Sequence, residues 1–407
     1  MIMRVKKSTI LNNMQPQDHA VIFCMYYLIC ITVLDYALSG ALIVSFSSYL
    51  SILIELSVTV YLVYCNGWKL KVNTCGIISI AILSSCLLFT MIHAGVKSSV
   101  FALFKEYNIV FVCVVLASFK YEKEVVGRML KIFIVFGVSA LIFSVVFENF
   151  FTQVTHASNA YTVTIESFFG NKNQFGRILY LSAVSAFIYY VSVPCKKMYL
   201  LVTILLSVAT VFSFSRTSLV ALLAFYGVCF LLKSKMSIFK RLLILLGIII
   251  ILAAIFSSES AVEYMNKIII RKDADLSSRT VLWSIGLEYV HNHPLIGAGE
   301  YMAENIIHAK GMLLSEFHSE YIYRLVSSGI PVTALYIFLI NDQMRSLLKQ
   351  RKRNPYAILC VSGVISFMVY MCFEQCSIYR FSIEGMLLAT FLCIVPNIKY
   401  GVDERTI

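Results

Sequence analysis

"CGIISIAILSSCLLFTMI", Cys75–Ile92, runs for eighteen residues without a charge or a proline. As a helix it rises about 27 Å, close to the ~30 Å hydrocarbon thickness of a bilayer. No water in that layer can satisfy backbone N–H and C=O groups, so a run of this kind becomes a helix, which bonds its own. Working outward, runs of about 17 to 25 residues, the length a crossing requires, recur along the chain. Twelve are read, centred near Ile29, Leu53, Leu83, Phe111, Ser139, Val184, Leu205, Ala224, Gly247, Leu325 to Leu335, Ser366 and Leu388. None alternates apolar with polar as a barrel strand would. The chain has 407 residues, 59% hydrophobic and only 14% charged, where soluble proteins carry about 25% charged residues. The expected fold is therefore all-α: a polytopic membrane protein with about twelve transmembrane helices, one integral domain over residues 1–407.

Lys and Arg in short loops resist translocation and so set orientation. They gather at Arg4 to Lys7, Lys69 and Lys71, Lys120 to Lys131, Lys196 and Lys197, Lys233 to Arg241, Arg345 to Arg353, and Lys399 with Arg405. These are alternate loops, holding 22 of the 34 basic residues. That side is expected to be the cytoplasm, with both termini on it. The net charge of +12 is then a topological signal. Without interleaved aromatics or a nucleic-acid module, no nucleic-acid partner is expected. The polar start of the chain lacks the pattern of a cleavable leader, so the first span is expected to stay. Twelve cysteines are scattered through the spans, which fits neither a disulfide framework nor zinc.

By this topology the connection 257–319 lies outside, and it is far longer than the others. Loops beyond about 12 to 15 residues are usually functional or disordered. This one is rich in periodic apolar residues, so it is expected to fold. Ser277 or Ser278 can cap a helix starting near Arg279; "HNHPLIGAGE" (His291–Glu300) ends it with Pro and Gly turn chemistry, and a second short helix is expected over Tyr301–Lys310. Such amphipathic pieces are expected to lie across the external membrane surface as a lid. Asp273 and Asp275 form a D-x-D pair, read as a solvated acidic loop. No external cluster has the ligand count of a catalytic metal site, so neither metal nor cofactor is expected.

Ionisable residues inside spans mark functional cavities. Lys105, Glu106, Glu148, Arg177, Arg216, Arg324, Arg380 and Glu384 all fall toward the outer ends, and Glu55 near mid-depth. The spans are expected to surround a polar cavity open to the outside. Several arginines there suit a substrate carrying phosphate, because guanidinium stays charged and grips two oxygens at once.

Four stretches, "FFGNKNQFGRILYL" (Phe168–Leu181), "FSFSRTSLVALLAF" (Phe212–Phe225), "SRTVLWSIGLEYVHNHPLIGAGE" (Ser278–Glu300) and "FHSEYIYRLVSSGIP" (Phe317–Pro331), together resemble the O-antigen ligase and O-antigen polymerase superfamily of bacterial surface-polysaccharide enzymes. The resemblance covers Phe168 to Pro331. It implies a metal-independent glycosyltransferase acting on undecaprenyl-diphosphate-linked glycans at the outer face of the bacterial plasma membrane, among membrane lipids and alongside a chain-length regulator and a flippase of the same pathway. The family's arginines fall on Arg279 and Arg216, and its loop-end histidine on His318. Many relatives carry Asn after that histidine; this chain has Ser319. Lys172, Asn173 and Arg177 in the first stretch, Glu320 and Arg324 in the last, and Arg380 beyond it are the candidate substrate-binding residues.

Glycosyl transfer needs a base for the acceptor hydroxyl and positive charge for the departing diphosphate, tasks that suit His and Arg. His318 is the candidate base, with His308 the other histidine left in the external segment. Three functions stand: a polymerase of repeat units, which a sequence this divergent outside the motifs favours; a ligase passing finished glycan to a lipid A core or another acceptor; and a twelve-span flippase or transporter. A transporter predicts matching halves with broken helices, and no such repeat is visible.

Overall fold

The structure, a computed structural model, describes residues 14–38, 41–155, 165–193, 197–233, 237, 275–300 and 302–399. Among them it is helical, with no strand and a single isolated bridge between Tyr121 and Ile398. In chain order the helices are α1 (Pro16–Leu38), α2 (Ala41–Cys65), α3 (Thr74–Val110), α4 (Lys123–Phe147), α5 (Phe150–Thr155), α6 (Lys172–Ser192), α7 (Lys197–Phe212), α8 (Arg216–Lys233), α9 (Asp275–Asn292), α10 (Ala303–Ala309), α11 (Glu320–Lys349), α12 (Ala357–Met371) and α13 (Ile383–Ala389). Eleven of the twelve expected centres fall in this helical structure; the run around Gly247 lies outside the described residues, as does Asp273. By length and apolarity six helical stretches can cross a membrane, and four apolar helices are shorter. Length and apolarity among the described residues do not by themselves give the expected count of twelve.

Part of that difference is a reversal. Helical structure runs unbroken in name from Thr74 to Ser118, 45 residues, which straight would be about 67 Å long. It is not straight. Gly95 has φ 77° and ψ −180°, and the two legs come together: a Cβ on Gly76 would lie 3.1 Å from Val114 Cγ2, and Lys71 N donates to Ser118 Oγ at 2.9 Å. The expected third and fourth spans are the legs of one helical hairpin. α11 breaks in the same way. Gly329 has φ 74° and ψ 171°, two residues before Pro331, and Arg324 on the first leg sits 4.9 Å over the ring of Tyr336 on the second. The single span expected around Leu325 to Leu335 is therefore a short leg, a corner and a long leg. Only glycine holds that positive φ without strain, which is why both corners fall on one.

Polar caps start the helices. Asn73 accepts from Gly76 N, Asn171 from Asn173 N and Ser382 from Gly385 N, satisfying N–H groups the helix leaves free. Ser319 caps α11 through Ile322 N at 3.5 Å. At the opposite end the turns predicted to share one side of the membrane meet. Gln17 Nε2 donates to Lys120 O, Tyr121 N to Asn397 O, and Lys399 pairs with Glu122 at 2.8 Å.

Of the segment 257–319 expected outside, residues 275–300 and 302–319 are described; they share with α11 an apolar cluster of Leu282, Ile285, Val290, Ala298, Ile307, Phe317, Tyr323 and Val326. α9 ends at Asn292 as predicted but is already helical at Asp275, so neither Ser277 nor Ser278 begins it. The "GAG" turn docks on the α11 corner: Ala298 N donates to Val326 O and Gly299 N to Ser327 O, and a Cβ on Gly297 would lie 2.2 Å from the Ser327 carbonyl. The glycines serve a backbone-to-backbone approach, in keeping with turn chemistry.

Candidate functional site

Where the start of α11 and Glu316 meet the start of α6 and the turn after α12, the chain forms a cavity of about 1320 Å³. Arg177, Glu320, Arg324, Arg380 and Glu384 line it beside aromatic rings, so the polar cavity read from the embedded charges is present. Arg177 pairs with Glu384 at 2.7 Å. Arg380 is exposed and carries no ion pair among the described residues.

Beside the cavity, Glu374 gathers residues from distant parts of the chain. Arg279 Nη2 donates to its Oε1 at 3.1 Å and Asn173 Nδ2 to the same oxygen at 3.0 Å. Burial raises the carboxyl of Glu374 above its ordinary range, against the pull of Arg279, His318 and Arg177. Tyr370 O–H, 3.3 Å from Asn173 O, ties the start of α6 to α12. The loop approaching His318 is pinned on both sides: Trp283 Nε1 donates to Phe317 O at 2.9 Å and Phe317 N to Gln375 Oε1 at 3.2 Å.

Held this way, His318 has φ 49°, a left-handed conformation in which non-glycine residues are uncommon and which costs on the order of 1–3 kcal/mol. Its Nδ1 is buried without a hydrogen-bond partner among the described residues. Such a conformation persists where the surroundings impose it, and functional sites collect them. The arrangement offers an imidazole nitrogen able to take a proton, with cationic groups within the same few side chains. His308, the other histidine weighed, stands on the exposed α10 with Glu304 3.9 Å away.

The structure thus brings Asn173, Arg177, Arg279 and His318 to one place and lines the adjoining cavity with Glu320, Arg324 and Arg380. Lys172 and Arg216 are each the first residue of a helix, α6 and α8. Those two helix starts are close neighbours, for a Cβ on Gly176 would lie 2.4 Å from Ser215 Cβ. Arg216 and Arg279 do not line the cavity. Arg324 differs from expectation. Its guanidinium is already held by Glu106 at 2.6 Å, Glu320 at 2.8 Å and Glu300 at 3.6 Å. Three carboxylates leave it little charge to offer a substrate, so it works first as a clasp between the two helical hairpins. Glu300 completes the clasp with Lys105 at 2.8 Å and Tyr323. Burial raises its carboxyl, but Lys105 and Arg324 more than reverse this and hold it down to about 2. Sequence reasoning missed Glu374; its one signal was a carboxylate just past a span end, in "CFEQCS" (Cys372–Ser377).

Cys86, Glu106 and Glu300 are grouped closely enough to hold a metal ion. Lys105 and Arg324 already neutralise the two carboxylates, so the donor set does not suit one.

Residues 201–337 match the family model described as O-antigen ligase. The match spans about a third of the chain and includes Arg216, Arg279, His318, Glu320 and Arg324. It supports membership of the O-antigen ligase and polymerase superfamily, glycosyltransferase-like membrane enzymes of surface-polysaccharide synthesis. No curated protein and no solved structure matches the chain.

Proposed function

From its O-antigen ligase segment and the groups around His318, we propose that this chain is a polymerase of lipid-linked oligosaccharide repeat units. The donor is an undecaprenyl-diphosphate-linked glycan and the acceptor a sugar hydroxyl of the next unit, at the outer face of the plasma membrane. The observation that carries the reading is the unpartnered, buried Nδ1 of His318 next to Glu374 and Arg279. Nδ1 takes the proton of the acceptor hydroxyl as its oxygen attacks the anomeric carbon. The bond from that carbon to the phosphate oxygen breaks, and its electron pair leaves with the diphosphate. Arg279 and Arg216, with Arg380 at the cavity, neutralise the charge that develops. Glu374 shares Arg279 in the resting state and keeps its guanidinium aimed.

The family description favours a second reading, transfer of finished glycan to a lipid A core or other acceptor. Deleting the chain's gene separates the two. Loss of long chains with single repeat units still on the surface core supports the polymerase; lipid-linked polymer accumulating over a bare core means a ligase. In a purified assay the activity is expected to survive a strong chelator. Loss on chelation, restored by a divalent ion, would overturn the metal-independent mechanism.

A further inference from the structure

One part of the cavity lining differs in kind from the arginine-bearing part. α1, α2 and the return leg of α3 contribute Asp35, Glu55 and Asn108. Each leaves a buried oxygen, Asp35 Oδ1, Glu55 Oε1 and Asn108 Oδ1, without a hydrogen-bond partner among the described residues. Glu55 is 2% exposed and Asn108 9%. The amide of Asn108 is fixed by its nitrogen, which donates to Lys105 O at 2.9 Å, so its oxygen is the end left over. Buried acceptors without donors are costly and rare, so three in one cavity mark where water or the donor groups of a ligand are held.

The chemistry of that ligand follows from the set. Asn108 Oδ1 can only accept, and none of the three side chains is a cation, so the set brings no positive charge to a phosphate. A metal ion needs oxygens drawn to one point about 2.3–2.6 Å away, whereas this cavity of about 1320 Å³ has room for a ligand of many atoms. Tyr36, Tyr49 and Phe104 line it as well, offering flat apolar faces. Several O–H or N–H donors around an apolar ring face describe a sugar.

We infer that Asp35, Glu55 and Asn108 form a saccharide subsite, which accepts hydrogen bonds from the hydroxyl or amino groups of a lipid-linked sugar while Arg380 at the cavity, with Arg279 and Arg216 beside it, holds its diphosphate. This rests on the proposed donor chemistry and adds to it the residues that read the sugar. They lie on the first three helices, outside the segment that matches the family.

Two probes test it on the full chain in detergent: undecaprenyl diphosphate without sugar, and the lipid-linked repeat unit extracted from cells lacking the chain. The wild type should bind the glycan-bearing lipid more tightly. The double variant Asp35→Leu, Glu55→Met should lose at least about tenfold in affinity for it, the size of one charge-assisted hydrogen bond, and change little toward undecaprenyl diphosphate. Both substitutions remove groups with unpaired oxygens, so the melting temperature should not fall; should it fall, the isosteric Glu55→Gln is measured instead, with a smaller loss in the same direction. Equal wild-type affinity for the two probes, unchanged binding of the glycan-bearing lipid by the variants, or equal loss for both probes overturns the subsite. If the wild type binds neither probe, the donor reading itself falls and the subsite with it.

Discussion

His318→Ala should abolish polymer in cells while the protein accumulates normally, since a base typically contributes 10² to about 10⁴-fold; wild-type chain length would move the base elsewhere, with Glu320 tested next. Arg279→Lys and Arg216→Lys should each lose most activity in a purified assay, because a point charge does not replace a two-pronged guanidinium. Full activity of the corresponding alanine variants at normal protein level would remove them from the mechanism. The sequence singled out these three by resemblance to the family's stretches and by a chemistry that suits the proposed reaction. It did not single out Glu374. Its partners Arg279 and Asn173 stand 95 and 201 positions away, and only the fold joins them. Arg324 was legible as an embedded charge but not as a satisfied one, for the same reason: Glu106 lies 218 positions away.

At the scale of elements the two helical hairpins turn on Gly95 and Gly329, and their corners differ in crowding. A Cβ at Gly95 meets nothing within 4 Å, whereas at Gly329 it would lie 2.7 Å from the Leu295 carbonyl oxygen. Gly95→Ala should therefore cost about 1–3 kcal/mol from the backbone conformation alone, and Gly329→Ala clearly more, as read from melting temperatures in detergent. Equal shifts would deny the docking of the "GAG" turn on the α11 corner. The clasp makes a pH prediction. With Glu300 held down to about 2 against an ordinary 4.5, its ionised form stabilises the fold; the contribution is complete above pH 4.5 and is lost as pH falls from there toward 2. Glu300→Gln should thus destabilise by about 3 kcal/mol at neutral pH, and the gap to wild type should close below pH 4.5. A gap independent of pH would mean the charge is not what matters. Apolar runs fixed the positions of the helices in advance. The corner inside α11 stayed hidden because "SSGIP" (Ser327–Pro331) carries no charge to interrupt an apolar count, and reversal there depends on contacts with Pro294 to Gly299.

On the scale of the whole molecule, the side of the membrane is an expectation that rests on charge alone. A reporter active only outside the cell should light when fused near Ala303 and stay dark near Lys352; the opposite result would put the site on the wrong face. That the basic turns share one end was readable from residue counts, and contacts such as Lys399 with Glu122 join two of them. The cavity was readable only as a tendency of charges to lie outward. Its partition into arginine-bearing and acceptor-bearing parts required side chains from six helices to be set side by side. The hold of Trp283 on Phe317 has an optical consequence. The chain contains two tryptophans, and the other, Trp68, is 69% exposed. With Trp68→Phe, all indole fluorescence comes from a ring bonded next to His318 and 6.4 Å from that of Phe373. The emission then reports, without any label, on the contact between Trp283 and the backbone just before His318, and a stopped-flow trace on adding the lipid donor would show whether and when that contact changes, separately from bond formation.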